Sequence, residues 1–279
     1  KNPATEEILK EFTELTAEEI DSKLQIASNA TKEWRKTPFN ERERLLNKLA
    51  DILITRKDEI AKLASLEIGQ PIKSVYGEVE KCALLARYYE GKLEQFLKDE
   101  SIETEAQASY VTFEPLGTIL GIAPWNFPFW MAFRFIIPTI SAGNTVVLKH
   151  ASNVPQSALI IEEVMKEAGF PEGVFQVLLI SSSQVESVIK DNRIKGVSFS
   201  GSEAAGAIVA SQAGKEIKKS LLELGGSDAF IVLEDADLES TAKTLVEGRL
   251  RNAGQACNSP KRAFVQESVY AKFLEIVKE

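Results

Sequence analysis

An α/β fold built on a doubly wound parallel sheet is what this sequence predicts, and three observations predict it. Beyond Lys98, short apolar runs alternate with helix-length segments, the pattern of βαβ units. Those runs are apolar almost without interruption, as strands buried on both faces are. Turn-forming segments follow several of them directly, where ligands bind in such sheets.

The first hundred residues read as helices. Thr16 and Glu19 have capping-box spacing, followed by Ile20, Leu24, Ala27 and Trp34 on a polar background. Residues 41–68 repeat the pattern with Leu45, Leu46, Leu49, Ile52, Leu53, Ile60, Leu63 and Leu66, and a third segment covers 71–97. Residues 101–104 and 110–113 alternate like a two-stranded ribbon around a turn at 105–109. Strands are then expected at 117–122, 145–148, 174–179, 196–199 and 229–233. The first two are each followed by a helical stretch, and helices are expected at 155–168, 184–190 and 203–213. Three loops come together at the carboxyl edge of such a sheet: residues 123–128, 149–152 and 200–206.

Composition narrows the function classes. At 279 residues, 44% apolar and 27% charged, the chain has globular proportions and room for an enzyme core. A net charge of −8 argues against general binding to nucleic acid or an anionic membrane. Two cysteines, Cys82 and Cys257, form no disulfide framework and suit a reducing compartment. The most apolar stretch, 127–148, is interrupted by Arg134, Pro138, Gly143 and Asn144 and makes a poor membrane helix. The N-terminus lacks a signal-peptide pattern, so a cytoplasmic location is expected.

Cys257, in Gly254-Gln255-Ala256-Cys257, follows Glu223 by thirty-four residues. A thiolate can add to a carbonyl carbon, and a nearby carboxylate can later activate water against the adduct. On its own, a lone cysteine is ordinarily a small buried hydrophobe. Asn126, between Trp125 and Phe127-Pro128, could donate to an oxyanion or merely form an Asx turn. Lys149, after an apolar run, could meet a ribose or phosphate. Gly201 and Ser202 open a strand-to-helix turn whose free N–H groups suit a pyrophosphate; the alternative is an ordinary glycine turn capped by Ser202. His150 is the only histidine, so no zinc site is expected and no nucleophile elbow surrounds it.

Five segments in order resemble the aldehyde dehydrogenase family: Pro124-Trp125-Asn126-Phe127-Pro128, Lys149-His150-Ala151-Ser152, Phe199-Ser200-Gly201-Ser202, Leu222-Glu223-Leu224-Gly225-Gly226 and Gly254-Gln255-Ala256-Cys257. The resemblance covers essentially the whole chain. It implies an NAD(P)-binding domain over 1–222, a bridging, oligomerising hairpin at about 101–114, and the start of an α/β catalytic domain over 223–279. Cys257 would be the nucleophile, Glu223 the base for water, and Asn126 with the Cys257 N–H the oxyanion donors. Trp125, Asn126, Lys149, Ser152, Gly201, Ser202 and Leu224 would contact the cofactor. Ser152 stands three residues after the lysine, where a glutamate would repel a 2′-phosphate, so NADP is expected, with NAD accepted too.

Arg134 and Arg251 match positions that bind the distal carboxylate in succinate-semialdehyde dehydrogenases, and guanidinium suits that task. Succinate semialdehyde is therefore the expected substrate and a homo-oligomer, dimer or tetramer, the expected assembly. Ser259 stands where some relatives carry a second cysteine, which removes a disulfide switch, and Pro260 restricts it to extended conformations. By the same resemblance the chain stops early, twenty-two residues beyond Cys257, with its catalytic domain incomplete. Two other readings remain: a dehydrogenase for another small aldehyde, and a truncated, non-catalytic cofactor-binding or scaffold protein.

Overall fold

The computed structural model describes residues 1–279 and divides into two units, residues 1–223 and 224–279. In the first, α1 (Ala17–Trp34), α2 (Phe39–Thr55), α3 (Lys57–Ile68), α4 (Ile72–Tyr88) and the short α5 (Leu93–Leu97) precede a ribbon of β1 (Glu100–Ser101) and β2 (Tyr110–Val111). Then come β3 (Thr118–Ala123), α6 (Trp130–Ser141), β4 (Thr145–His150), α7 (Pro155–Ala168), β5 (Phe175–Val177), α8 (Val185–Lys190), β6 (Ile194–Ser200), α9 (Glu203–Lys215) and β7 (Lys219–Glu223). The second unit holds β8 (Asp228–Val232), α10 (Leu238–Leu250), β9 (Pro260–Val265) and α11 (Glu267–Lys278).

The helices form where the sequence supplies both face and cap. Thr16 closes the capping box on α1, its hydroxyl accepting the Glu19 N–H while Glu19 accepts the Thr16 N–H. The apolar faces of α2, α3, α4, α6 and α7 merge into one core around Leu46, Leu49, Leu53, Ile60, Phe133 and Ile136. Each of these large side chains contributes roughly 1.5–3 kcal/mol by leaving water.

The large sheet has the order β5-β4-β3-β6-β7, every pair parallel. Winding proceeds outward from β3 through β4 to β5, then crosses back to β6 and β7 on the other side. The switch point between β3 and β6 is where such sheets open a ligand crevice at their carboxyl edge. Gly121 in β3 permits close packing of α6, because a Cβ there would fall 1.8 Å from Phe135 Cζ.

Several expectations are corrected. The run expected at 229–233 is not part of the large sheet; β8 pairs in parallel with β9 in the second unit. The fifth strand of the large sheet is β7, where no strand was expected, and Glu223 ends it. β7 is an edge strand with much of its surface exposed, which erases the apolar run that marked its neighbours. The helical segment 41–68 breaks at Arg56 into α2 and α3. The ribbon pairs only two residues on each strand, with one further bond from the Ile102 N–H to the Ser109 carbonyl. Lys149 lies within β4, which continues to His150.

Candidate active site

Two side chains hold the loop that carries Trp125 and Asn126. His150, buried at the end of β4, contacts the Pro128 carbonyl through Nε2 at 2.8 Å, and its Nδ1 accepts the Ala151 N–H at 2.8 Å. An Nδ1 that accepts is unprotonated, so the ring is the neutral Nε2–H tautomer and donates to Pro128. Burial pushes its pKa down to about 4 despite the bond to the Pro128 carbonyl, and neighbouring Lys149 lowers it further. From the other side, buried Glu78 on α4 accepts the N–H groups of Phe129 at 2.7 Å and Trp130 at 2.8 Å. It caps α6, whose own N-cap residue offers no side-chain acceptor. Burial raises the Glu78 carboxyl to about 7, with the two backbone bonds opposing the rise.

The neighbouring strands present the remaining candidates of the first unit. Lys149 is buried and its pKa is lowered by desolvation, with Glu14 acting against the shift. Ser152, exposed in the turn before α7, lines a cleft of about 250 Å³ with Lys10, Thr13, His150 and Asn153. At the end of β6 the Gly201 N–H donates to the Glu223 carbonyl at 3.0 Å. A Cβ on Gly201 would sit 2.6 Å from the Phe199 ring. Ser202 caps α9, its hydroxyl accepting the Ala205 N–H at 3.4 Å. Arg134 on α6 ion-pairs with Glu223, Nη2 to Oε1 at 3.0 Å. Both line a cleft of about 570 Å³ with Phe135, Ser198, Ser200 and Leu221. No group of histidines, cysteines and acids is placed to hold a metal.

Leu224, Arg251 and Cys257 belong to the second unit. Cys257 is a free, exposed thiol in a turn. Before it, Asn252, Ala253 and Gly254 all adopt left-handed conformations, with φ of 51°, 54° and 78°. For Ala253 this costs on the order of 1–2 kcal/mol. The bend is pinned by Arg249, which donates to the Gly254 carbonyl at 3.2 Å, and by the Gln255 N–H on the Asn252 carbonyl at 3.1 Å. Further along, Lys261 Nζ donates to the carbonyls of Ala256, Cys257 and Ser259 at 3.3, 2.6 and 3.3 Å.

The sequence reading assigned no role to Glu78, His150 or Lys261. Glu78 left a readable mark: it interrupts the apolar stripe of Val75, Val79, Cys82 and Ala86 on α4. Glu67 interrupts the stripe of α3 in the same way and caps α7 by accepting from Gln156 and Ser157. Lys261 left none, since a lysine beside a loop is ordinary surface chemistry.

Residues 1–279 match the pattern of the aldehyde dehydrogenase family throughout. A relative from Synechocystis, named a probable succinate-semialdehyde dehydrogenase (NADP+), is 48% identical over 98% of this chain and 60% of its own. The succinate-semialdehyde dehydrogenase (NADP+) of Mycobacterium avium is 45% identical over 98% and 59%. Among solved structures, the Streptococcus pyogenes succinic semialdehyde dehydrogenase in complex with NADP+ superposes with a TM-score of 0.95 at 41% identity. That match covers 98% of this chain and 60% of the other. The chain thus spans about 60% of the length of the relatives it matches.

Proposed function

Because the chain belongs to the aldehyde dehydrogenase family, we propose that it carries the cofactor domain, residues 1–222, and the first part of the catalytic domain, residues 223–279, of an NADP-dependent succinate-semialdehyde dehydrogenase. One observation carries this reading. Asn126, Lys149, Ser152, Gly201, Ser202 and Glu223 lie in or just beyond the carboxyl-terminal ends of four adjacent strands, β4-β3-β6-β7, around the switch point.

The first unit fits a dinucleotide. Lys149 offers a cation within β4, Ser152 a hydroxyl in place of a repelling carboxylate, and Gly201 with Ser202 a strand-to-helix turn at the N-terminus of α9. Trp125 and Leu224 complete the proposed contacts, and NAD is accepted as a second cofactor. Bound NADP would supply the hydride acceptor.

The chain's own groups do the rest. Cys257 as thiolate adds to the aldehyde carbon, and Asn126 with the Cys257 N–H holds the oxyanion. After oxidation the carbon remains as a thioester on Cys257. Glu223 takes a proton from water, hydroxide adds, and the thiolate leaves as the acid is released. Arg134 and Arg251 bind the distal carboxylate. A carboxylate arriving at Arg134 competes with Glu223 for the guanidinium and so frees the base next to the substrate. We place the protein in the cytoplasm and assemble it as a homo-oligomer through the hairpin, where Ile102, Tyr110, Val111 and Phe113 are exposed.

The test mixes the chain with succinate semialdehyde and NADP and follows NADPH. The reading expects turnover that Cys257→Ala abolishes. It also expects Arg134→Ala to lower kcat/KM at least about tenfold for the semialdehyde acid but not for a neutral aldehyde. No turnover in the wild-type chain would favour the non-catalytic cofactor-binding reading, and failure to bind NADP as well would overturn the assignment of the first unit.

A further inference from the structure

We infer that Lys261 is a positioning residue that aims the Cys257 N–H by clamping the carbonyls on either side of it. The inference rests on the proposed role of Cys257. An ammonium has three donors and no acceptor, and here three carbonyls, of Ala256, Cys257 and Ser259, converge on Nζ. A turn bond from the Ser259 N–H to the Ala256 carbonyl, at 3.2 Å, closes the same loop.

The consequence follows from peptide geometry. All peptide bonds in the chain are trans, and in a planar trans peptide the C=O and N–H point in opposite directions. Lys261 draws the Ala256 carbonyl toward itself and thereby turns the Cys257 N–H of the same peptide away from the ammonium. No group in the chain accepts that N–H, so the donor stays available. The Cys257 carbonyl, the shortest of the three contacts, fixes the next peptide in the same sense.

The clamp is anchored at both ends. Upstream, the left-handed run at Asn252, Ala253 and Gly254 sets the direction of the chain. Downstream, Lys261 lies in β9 beside Arg262, whose Nε and Nη2 donate to the Ser227 carbonyl at 3.1 and 2.8 Å. The Lys261 backbone is thus fixed, and its side chain reaches back over four residues to hold the nucleophile's turn. An oxyanion donor is worth most when it is oriented before the reaction, since no reorganisation then falls on the chemical step.

Lys261→Met keeps the length and apolar stem of the side chain and removes the donors; Lys261→Arg keeps donors. In the 279-residue chain, Lys261→Met is expected to shift the carbonyl-carbon NMR signals of Ala256 and Cys257 and the amide signal of Cys257. Aldehyde-dependent NADPH formation should fall about 10- to 100-fold in kcat, with KM for the aldehyde within about threefold. Alkylation of Cys257 by iodoacetamide, which develops no oxyanion, should stay within about twofold. Lys261→Arg should restore most of the turnover. Unchanged carbonyl and amide signals in Lys261→Met would overturn the clamp, as would alkylation falling in parallel with turnover. A wild-type chain without turnover would sink the catalytic reading of Cys257, and the NMR signals would still decide whether Lys261 orients its N–H.

Discussion

Single residues in this fold act through the groups they exclude as much as those they bind. His150 is held neutral chiefly by burial, with Nδ1 accepting the Ala151 N–H, while its bond to the Pro128 carbonyl acts the other way. It therefore adds no charge beside Lys149. Ser152, three residues on, has a side chain too short to reach far and no charge to repel a phosphate. Ser152→Glu places a carboxylate in the same cleft, and like charges in a partly desolvated cleft repel by a few kcal/mol at short range. The dissociation constant for NADP is expected to rise about 10- to 100-fold while that for NAD changes by less than about threefold. Equilibrium titration of each dinucleotide against wild type and variant checks this without any need for turnover. Equal weakening of both cofactors would point to damage at α7 and not to charge selection.

At the scale of elements, a strand was legible where burial on both faces left an apolar run. β3, β4 and β6 were found within a few residues because they lie in the sheet interior. β7 was not, because at the sheet edge Lys219, Ser220 and Leu221 are exposed and no alternation survives. Glu223 was therefore singled out for its chemistry while the strand that carries it went unread. The five motifs themselves were legible, since each joins turn-forming residues to a strand or helix end. The supports of those motifs were not: Glu78 acts on Phe129 and Trp130 from a distant helix, and Lys261, although close in sequence to the carbonyls it holds, has the composition of an ordinary surface lysine. The β3–α6 contact offers a direct test of how tightly the Asn126 loop is seated. Gly121→Ala drives a methyl into the Phe135 ring and should cost about 2 kcal/mol, the usual range for overpacking. Urea denaturation measures it, and Phe135→Leu in the same chain should recover part of the loss. Failure of the double variant to recover any stability would mean that the strain lies elsewhere.

For the molecule as a whole, two buried titratable groups on either side of one loop pull stability in opposite directions with pH. His150 has a folded pKa of about 4, below its ordinary 6.5. As pH falls from 6.5 toward 4 the unfolded chain takes up a proton that the folded chain refuses, so stability is lost toward acid. Glu78 has a folded pKa of about 7, above its ordinary 4.5. Between 4.5 and 7 the folded chain keeps a proton that the unfolded chain has released, so stability is lost toward neutral pH. Each shift corresponds to about 3 kcal/mol across its window, and between pH 4.5 and 6.5 the two slopes offset each other. Glu78→Gln keeps an oxygen to accept the Phe129 and Trp130 N–H groups but removes the titration. The difference in unfolding free energy between wild type and this variant should therefore change by about 3 kcal/mol from pH 4.5 to pH 7, with wild type relatively more stable at the acid end. Other ionisable groups are common to both chains and cancel in that difference. Chemical denaturation at half-unit pH steps gives the curve directly. A difference that stays constant across the range would mean that Glu78 ionises in the fold as it does in water, and that the Asn126 loop is held by a fixed charge and not by a shared proton.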